Sequence, residues 1–197
     1  AKKAGIKPII GCEMYIARRS LINKTDKLDS GGYHLTLLAK NKKGYHNLVK
    51  LVSKAWTEGF YYKPRIDKNL LRQHSEGLIV LSGCLNGEIP SLLLNNNYEE
   101  ARKVALEFKS IFGEDFYFEI QKHPSDNPKK FDQVYKNQIK VNELILKLSG
   151  ETGIKIVATN DVHFIYKEDA PAHDHLLCIS TGKDFDDPER LRYTQQE

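Results

Sequence analysis

Short apolar runs, each closed by glycine, proline or charge, alternate along this chain with longer segments of helical period. That alternation is its tightest constraint on fold. The runs cover Pro8 to Ala17, His34 to Ala39, Leu78 to Ser82, Phe116 to Gln121 and Ile154 to Thr159. Their length and flanks predict buried strands. Between them, Lys42 to Glu58 carries Tyr45, Leu48, Val49, Val52, Ala55 and Trp56 at a period near 3.6 residues. Tyr98 to Phe112 repeats the pattern with Ala101, Val104, Ala105, Phe108, Ile111 and Phe112, and Gly113 follows as a stop. A third helix is predicted from Pro128 to Thr152, burying Phe131, Val134, Tyr135, Val141, Ile145 and Leu148, and a shorter one from Ala170 to Ile179. Strands alternating with helices predict an α/β architecture. The polar stretch Arg18 to Gly32 reads as an exposed, mobile loop.

Metal-type side chains sit at or beside the ends of four runs: Glu13, His34, Cys84, Asp161 and His163. In barrel-like α/β folds, working residues gather where strands end at one rim. Glu13, Cys84 and Asp161 come late in their runs and His34 comes first in its own. A shared rim therefore requires the His34 strand to run against its neighbour, as an antiparallel pair across the 18–32 loop.

Each signal also has a plainer explanation. Asp161 and His163, two apart at a strand end, can face one side and suit Zn, Mn or Fe. Asp161 is equally suited to capping a helix. Glu13 inside an apolar run needs a metal, a cation or a solvent-facing strand, because a buried carboxylate without a partner is costly. Cys84 after Leu-Ile-Val-Leu-Ser-Gly suits a buried structural thiol. His173 and His175 fall within a helix, where residues two apart point in nearly opposite directions and do not share one ion. His46, His74 and His123 fit helix or turn positions. Glu119 lines the same rim or faces solvent. Phe60 to Asp67 mixes aromatic and basic residues. Such a loop can stack a base or hold a phosphate, or be a packed connection with solvated cations; Lys63 and Arg65 are the candidate phosphate contacts.

Composition narrows the class. The 197 residues are 40% apolar and 28% charged, as in globular proteins. No apolar stretch nears the about 18–20 residues that span a bilayer. Cys12, Cys84 and Cys178 are odd in number and far apart, which favours a reducing compartment, the cytoplasm. A net charge of +4 permits a nucleic-acid partner. No nucleotide-binding glycine loop or nucleophile elbow is present. The opening Ala-Lys-Lys-Ala-Gly-Ile-Lys-Pro reads as the last turn of a helix entering a strand, so the chain is expected to be part of something longer.

Several segments carry a resemblance: Lys-Pro-Ile-Ile-Gly-Cys-Glu-Met-Tyr, Gly-Tyr-His-Asn-Leu-Val-Lys-Leu, Gly-Phe-Tyr-Tyr-Lys-Pro-Arg-Ile-Asp, Leu-Ser-Gly-Cys-Leu-Asn-Gly-Glu-Ile-Pro, Ala-Thr-Asn-Asp-Val-His-Phe and Ala-His-Asp-His-Leu-Leu-Cys. In order and spacing they resemble the PHP (polymerase and histidinol phosphatase) domain of the bacterial DNA polymerase III alpha-subunit family. The resemblance implies a distorted seven-stranded α/β barrel, here incomplete at its start, with residues 1–182 as the PHP domain and 183–197 opening the connection to a palm domain. It implies up to three divalent ions (Zn, Mn, Fe or Mg) held by Glu13, His34, Cys84, Asp161 and His163, with Glu13 bridging. The family's early His-x-His strand and the Asp-His segment after it are expected upstream.

The implied role is in DNA replication, within a DNA-directed DNA polymerase. The implied chemistry at this site is metal-dependent phosphodiester hydrolysis of the 3′–5′ exonuclease type. The implied partners are DNA and other replicase subunits, among them the proofreading exonuclease subunit, with no membrane. Two alternatives stay open: a structural and subunit-binding module with a vestigial metal site, and a free-standing PHP phosphatase.

Overall fold

The computed structural model describes residues 1–124 and 128–193. Among them, six strands form one sheet: β1 (Gly11–Ile16), β2 (Tyr33–Ala39), β3 (Arg65–Ile66), β4 (Leu78–Leu81), β5 (Phe116–Ile120) and β6 (Lys155–Ala158). Their order is β3-β1-β2-β4-β5-β6. β2 runs antiparallel to both β1 and β4, while the pairs β1–β3, β4–β5 and β5–β6 are parallel. The α/β class therefore holds. The strand count differs from the expected seven: the order is linear among the described residues, with β3 and β6 at its edges.

The helices are α1 (Lys42–Thr57), α2 (Lys68–Gln73), α3 (Glu88–Leu94), α4 (Tyr98–Phe112), α5 (Pro128–Thr152) and α6 (Ala170–Thr181). Local chemistry sets their ends. The Asn41 side chain accepts the Gly44 N–H at the start of α1, the usual satisfaction of a helix's orphan donors. Gly113, at φ 57, closes α4. The sheet's apolar face packs against α1, α4 and α5. Its core includes Met14, Ile16, Leu35, Leu37, Val80 and Phe118 from strands, and Leu48, Leu51, Phe108, Ile145 and Leu148 from helices.

Three expectations need correction. The buried stripe of α1 is Gly44, Leu48, Leu51 and Ala55; Tyr45, Val49 and Trp56 are exposed. The sheet covers only one side of the wide apolar arc, and Trp56 stacks outside on Phe60, centroids 5.5 Å apart. α2, α3 and the two-residue β3 are too short to show a period in sequence. On α5, Val141, Ile145 and Leu148 are buried but Val134 and Tyr135 only partly, and the Phe131 side chain lies outside the described residues.

The third correction concerns the 18–32 loop, which is clamped. Arg65 is wholly buried. Its guanidinium donates to the carbonyls of Gly59, Asp29, Leu21 and Asn23 at 2.5–3.2 Å. Asp67 caps α2 at Leu70 N and also accepts from Ser20 Oγ and Leu21 N. Asp29, itself buried, takes two bonds from the Arg19 guanidinium and one from Thr25 N. The bonds to Gly59 and Asp29 are buried and those to Leu21 and Asn23 partly so; a buried carbonyl left without a donor costs about 1–3 kcal/mol, so Arg65 is a structural cation. It is not available to a phosphate, which removes it from the candidate contacts.

The Arg19 hydrogen bonds hold the Asp29 carboxyl down at about 2, against the opposing effect of burial. A depressed carboxyl contributes stability that is complete above its unfolded value of 3.8 and is lost as pH falls through about 2. Unfolding free energy measured from pH 5 to 2 should fall for the native chain and fall less steeply for Asp29→Asn. Equal slopes would mean that Asp29 does not anchor the loop.

Candidate metal centre

Register places the first donors. In the β1–β2 pair Glu13 lies opposite Thr36, and Tyr15 opposite His34. Paired residues share a face and next neighbours alternate. Glu13, Tyr15, His34 and Thr36 therefore share one face, and Met14, Ile16, Leu35 and Leu37 fill the core on the other. β1 is an amphipathic strand whose polar face lines a cavity of about 410 Å³. The antiparallel sense of β2 brings His34, second in its strand, to that cavity.

Glu13, His34, Cys84, Asp161 and His163 all line it, with Tyr15, Gln121, Gln138, Arg192 and Tyr193 among the others. Three of the five are tightly grouped. His34 Nδ1 lies 3.0 Å from Glu13 Oε1 and 3.5 Å from Cys84 Sγ, and one donor atom from each falls within 4.8 Å of the rest. Donors bound tetrahedrally at 2.0–2.3 Å stand roughly 3.3–3.6 Å apart, so this trio fits one ion with little movement. Asp161 and His163 are not part of the trio; they complete the cavity wall. His163 Nδ1 lies 2.6 Å from the Asp161 carbonyl oxygen. A carbonyl only accepts, so Nδ1 carries the proton and Nε2 is left as the ligating atom. Asp161 sits at φ 46, a conformation Asp tolerates better than most residues.

The electrostatics of the trio suit a cation. Burial opposes a charge on His34, but hydrogen bonds to Cys84 and Glu13, with their charges, outweigh it and push the imidazole up to about 10. The His34 hydrogen bond holds the Glu13 carboxyl below its ordinary value against burial, helped by the charges of His34 and His163. Without metal, a proton on His34 offsets the charge of its neighbours. A divalent ion would take that place.

Beneath the trio lies a residue that sequence reasoning left ambiguous. Glu119 is buried, and its carboxylate accepts from Gly83 N at 3.0 Å, Gln121 Nε2 at 3.2 Å, Thr36 Oγ1 at 3.4 Å and, at short range, Thr159 Oγ1. These donors come from β2, the turn after β4, and the segments after β5 and β6. Ser82 Oγ accepts the Glu119 N–H at 2.8 Å. Gly83, at φ 82, is pressed against β2: a Cβ there would lie 2.6 Å from the His34 carbonyl oxygen. The Ser-Gly-Cys turn is thus fixed by Glu119 from one side and by β2 from the other.

The remaining histidines divide. His123 is buried between Gln138 of α5 and the Asn160 carbonyl, so it steadies the backbone just before Asp161. His173 faces His163, ring centroids 5.9 Å apart, while His175 stacks on Phe185. The segment after α6 is tied down by Arg190, whose guanidinium pairs with Asp174. It brings Arg192 to the cavity and Tyr193 to within 4.1 Å of the His163 ring. Residues 194–197 lie outside the described residues. Arg192 carried no signal in sequence, because only the fold of this segment brings it to the cavity. Lys63 is exposed, with Nζ 5.7 Å from the centre of the Tyr15 ring.

A family model described as PHP domain matches residues 1–123. The chain is 48% identical to the DNA polymerase III subunit alpha of Borreliella burgdorferi over 198 residues, covering 100% of this chain. It is 47% identical to that of Treponema pallidum, covering 98%, and 46% identical to that of Thermus aquaticus, covering 100%. The chain spans about 16% of the length of each of these curated relatives.

Glu119→Gln would turn an amide NH₂ toward donors that now meet a carboxylate, loosening the Cys84 turn. Co²⁺ titration should show affinity weaker by about 10–100-fold, the usual cost of removing an outer-shell partner, with helical circular dichroism retained. Unchanged affinity would show that the Cys84 turn holds its place without Glu119.

Proposed function

The chain belongs to the PHP domain family, and on that footing we propose that it is the metal-binding domain of a bacterial replicative polymerase alpha subunit. In that reading the domain serves DNA replication and hydrolyses phosphodiesters at a 3′ end. The observation that carries it is the meeting of five donors, a Glu, an Asp, two His and a Cys, on the wall of one cavity. The likeness of nearly the whole chain to alpha subunits, at 46–48% identity, supports the placement.

Glu13, His34 and Cys84 would hold one ion, and Asp161 and His163 would offer donors to a second. Bound ions of this kind supply Lewis-acid polarisation of a phosphate and a more acidic water. The chain's own residues do the rest. His34 would have to give up its Nδ1 proton to hold an ion there. Glu119 and Gly83 hold the Cys84 turn in position. Arg192 is the one Arg or Lys among the described residues lining the cavity, but its guanidinium is committed to the carbonyls of Pro188, Phe185 and Asp187, so it braces the wall. The mixed thiolate, imidazole and carboxylate set favours Zn or a similar borderline ion over Mg, which prefers oxygen.

The same reading has the sheet closing as a PHP-type barrel through a seventh strand between the β3 and β6 edges. Residues from 183 onward begin the connection to the rest of the polymerase. DNA and the other replicase subunits, including a proofreading exonuclease subunit, are the partners, and the cytoplasm is the compartment. Among the described residues no helix is long and apolar enough to cross a membrane.

In the longer protein, Asp161→Asn should abolish metal-dependent release of 3′-terminal nucleotides from a labelled oligonucleotide and leave nucleotide incorporation intact. Cys84→Ser should weaken Co²⁺ or Zn²⁺ binding by at least about tenfold. Release of 3′ nucleotides that persists in Asp161→Asn would place that chemistry elsewhere and leave this domain a structural module.

A further inference from the structure

A second cavity, of about 470 Å³, lies between the clamped 18–32 loop and the Tyr61–Lys63 turn. Thr25, Asp26, Lys27, Ser30, Tyr61 and Tyr62 line it. Its size is in the range of small-molecule sites, roughly 300–1,000 Å³. The turn beside it is unusual. Tyr61 N donates to the Lys63 carbonyl at 3.1 Å, and Tyr62 sits at the apex with φ 59 and 71% exposure. A bulky residue in left-handed backbone costs of order 1 kcal/mol and persists only where its surroundings over-determine it. Here the surroundings do. Tyr61 meets Tyr62 edge-on at 4.8 Å and lies 5.6 Å from the buried Arg65 guanidinium. Arg65 in turn ties the loop that forms the opposite wall. The fold thus holds a large aromatic ring out in solvent on a rigid, strained support, and core packing does not account for it.

A line of contacts joins this pocket to the metal centre. Lys63, next to Tyr62, holds Nζ 5.7 Å from the Tyr15 ring. Tyr15 in turn meets the His34 ring edge-on at 5.0 Å. The sequence of groups is therefore aromatic face, cation, metal ligand. A nucleic-acid strand that enters a metal centre presents base, phosphate and scissile phosphate in the same order.

We propose that the pocket beside Tyr62 is a nucleobase subsite. It seats one unpaired base of a single-stranded DNA end, with Tyr62 as the stacking face and Lys63 on the phosphate leading toward the Glu13–His34–Cys84 cavity. This rests on the hydrolytic reading for its direction but not for its measurement, since binding of a base needs no metal. A base held in a duplex cannot enter a side pocket without unpairing, and unpaired ends avoid that cost. The site therefore favours frayed or mispaired ends over paired ones. The Thr25 and Ser30 hydroxyls already donate to Asp29 and to the Lys27 carbonyl, so they can only accept from a base and set no fixed edge pattern, and sequence preference is weak.

The test is fluorescence anisotropy with the 197-residue chain in EDTA, using labelled oligo-dT, the same oligonucleotide with one abasic position near its 3′ end, and a blunt duplex. Single strands should bind on the order of tenfold or more tightly than the abasic probe or the duplex. Tyr62→Gly should erase that preference while raising the melting temperature, because it removes the left-handed strain. Tyr62→Phe should keep the preference, and Lys63→Gln should weaken all single strands alike and reduce the salt slope. Equal binding of intact and abasic probes, or wild-type binding by Tyr62→Gly, would overturn the subsite. If base-dependent binding is found but Asp161→Asn leaves 3′ release unchanged, the hydrolytic reading fails and the subsite stands.

Discussion

The carboxylate of Glu119 is buried in the sheet, and its donors come from the middle of one strand and the ends of three others. Thr36 lies in β2, Gly83 follows β4, Gln121 follows β5 and Thr159 follows β6. Three of those positions lie close in sequence to candidate ligands: His34 two residues before Thr36, Cys84 next to Gly83, and Asp161 two residues after Thr159. A buried carboxylate left with fewer partners would carry a large desolvation cost. The sheet therefore cannot shift one ligand-bearing strand end without unsatisfying the group that braces the others. Stability and site geometry are coupled through one side chain.

The reversed β2 complements that brace. Four of the six strands run parallel to β1, and in such sheets sites collect at one rim. β2 runs the other way, so its beginning meets the ends of its neighbours, and His34 reaches Glu13 across a single register step. The 18–32 loop that permits the reversal is long and polar. Its order is supplied by Arg65, Asp67 and the Arg19–Asp29 pair rather than by an apolar core of its own. The same clamp supports the Tyr61–Lys63 turn, so the metal cavity and the proposed base pocket share one structural foundation.

Much of this was legible in the chain. The alternation of strand and helix, the boundaries of α4 and α5, and the reversal of β2 follow from apolar period, glycine position and the place of His34 in its run. What was not legible has physical reasons. Arg65 sits beside Tyr and Lys residues and looks like a phosphate contact, because sequence shows its charge but not the four carbonyls that consume it. Glu119 alternates like any strand polar residue, and only the sheet reveals that its face is interior. β3, with two residues, has no period to detect. Tyr45, Val49 and Trp56 fit the helical stripe of α1, but the sheet is too narrow to cover them all.

The central claim is that Cys84, with Glu13 and His34, is a metal ligand rather than a buried structural thiol. X-ray absorption at the zinc edge of the loaded chain tests it directly. The account predicts a sulfur scatterer at about 2.3 Å beside nitrogen and oxygen at about 2.0–2.2 Å, with the sulfur lost in Cys84→Ser. A shell of nitrogen and oxygen alone in the native chain, unchanged by Cys84→Ser, would contradict it.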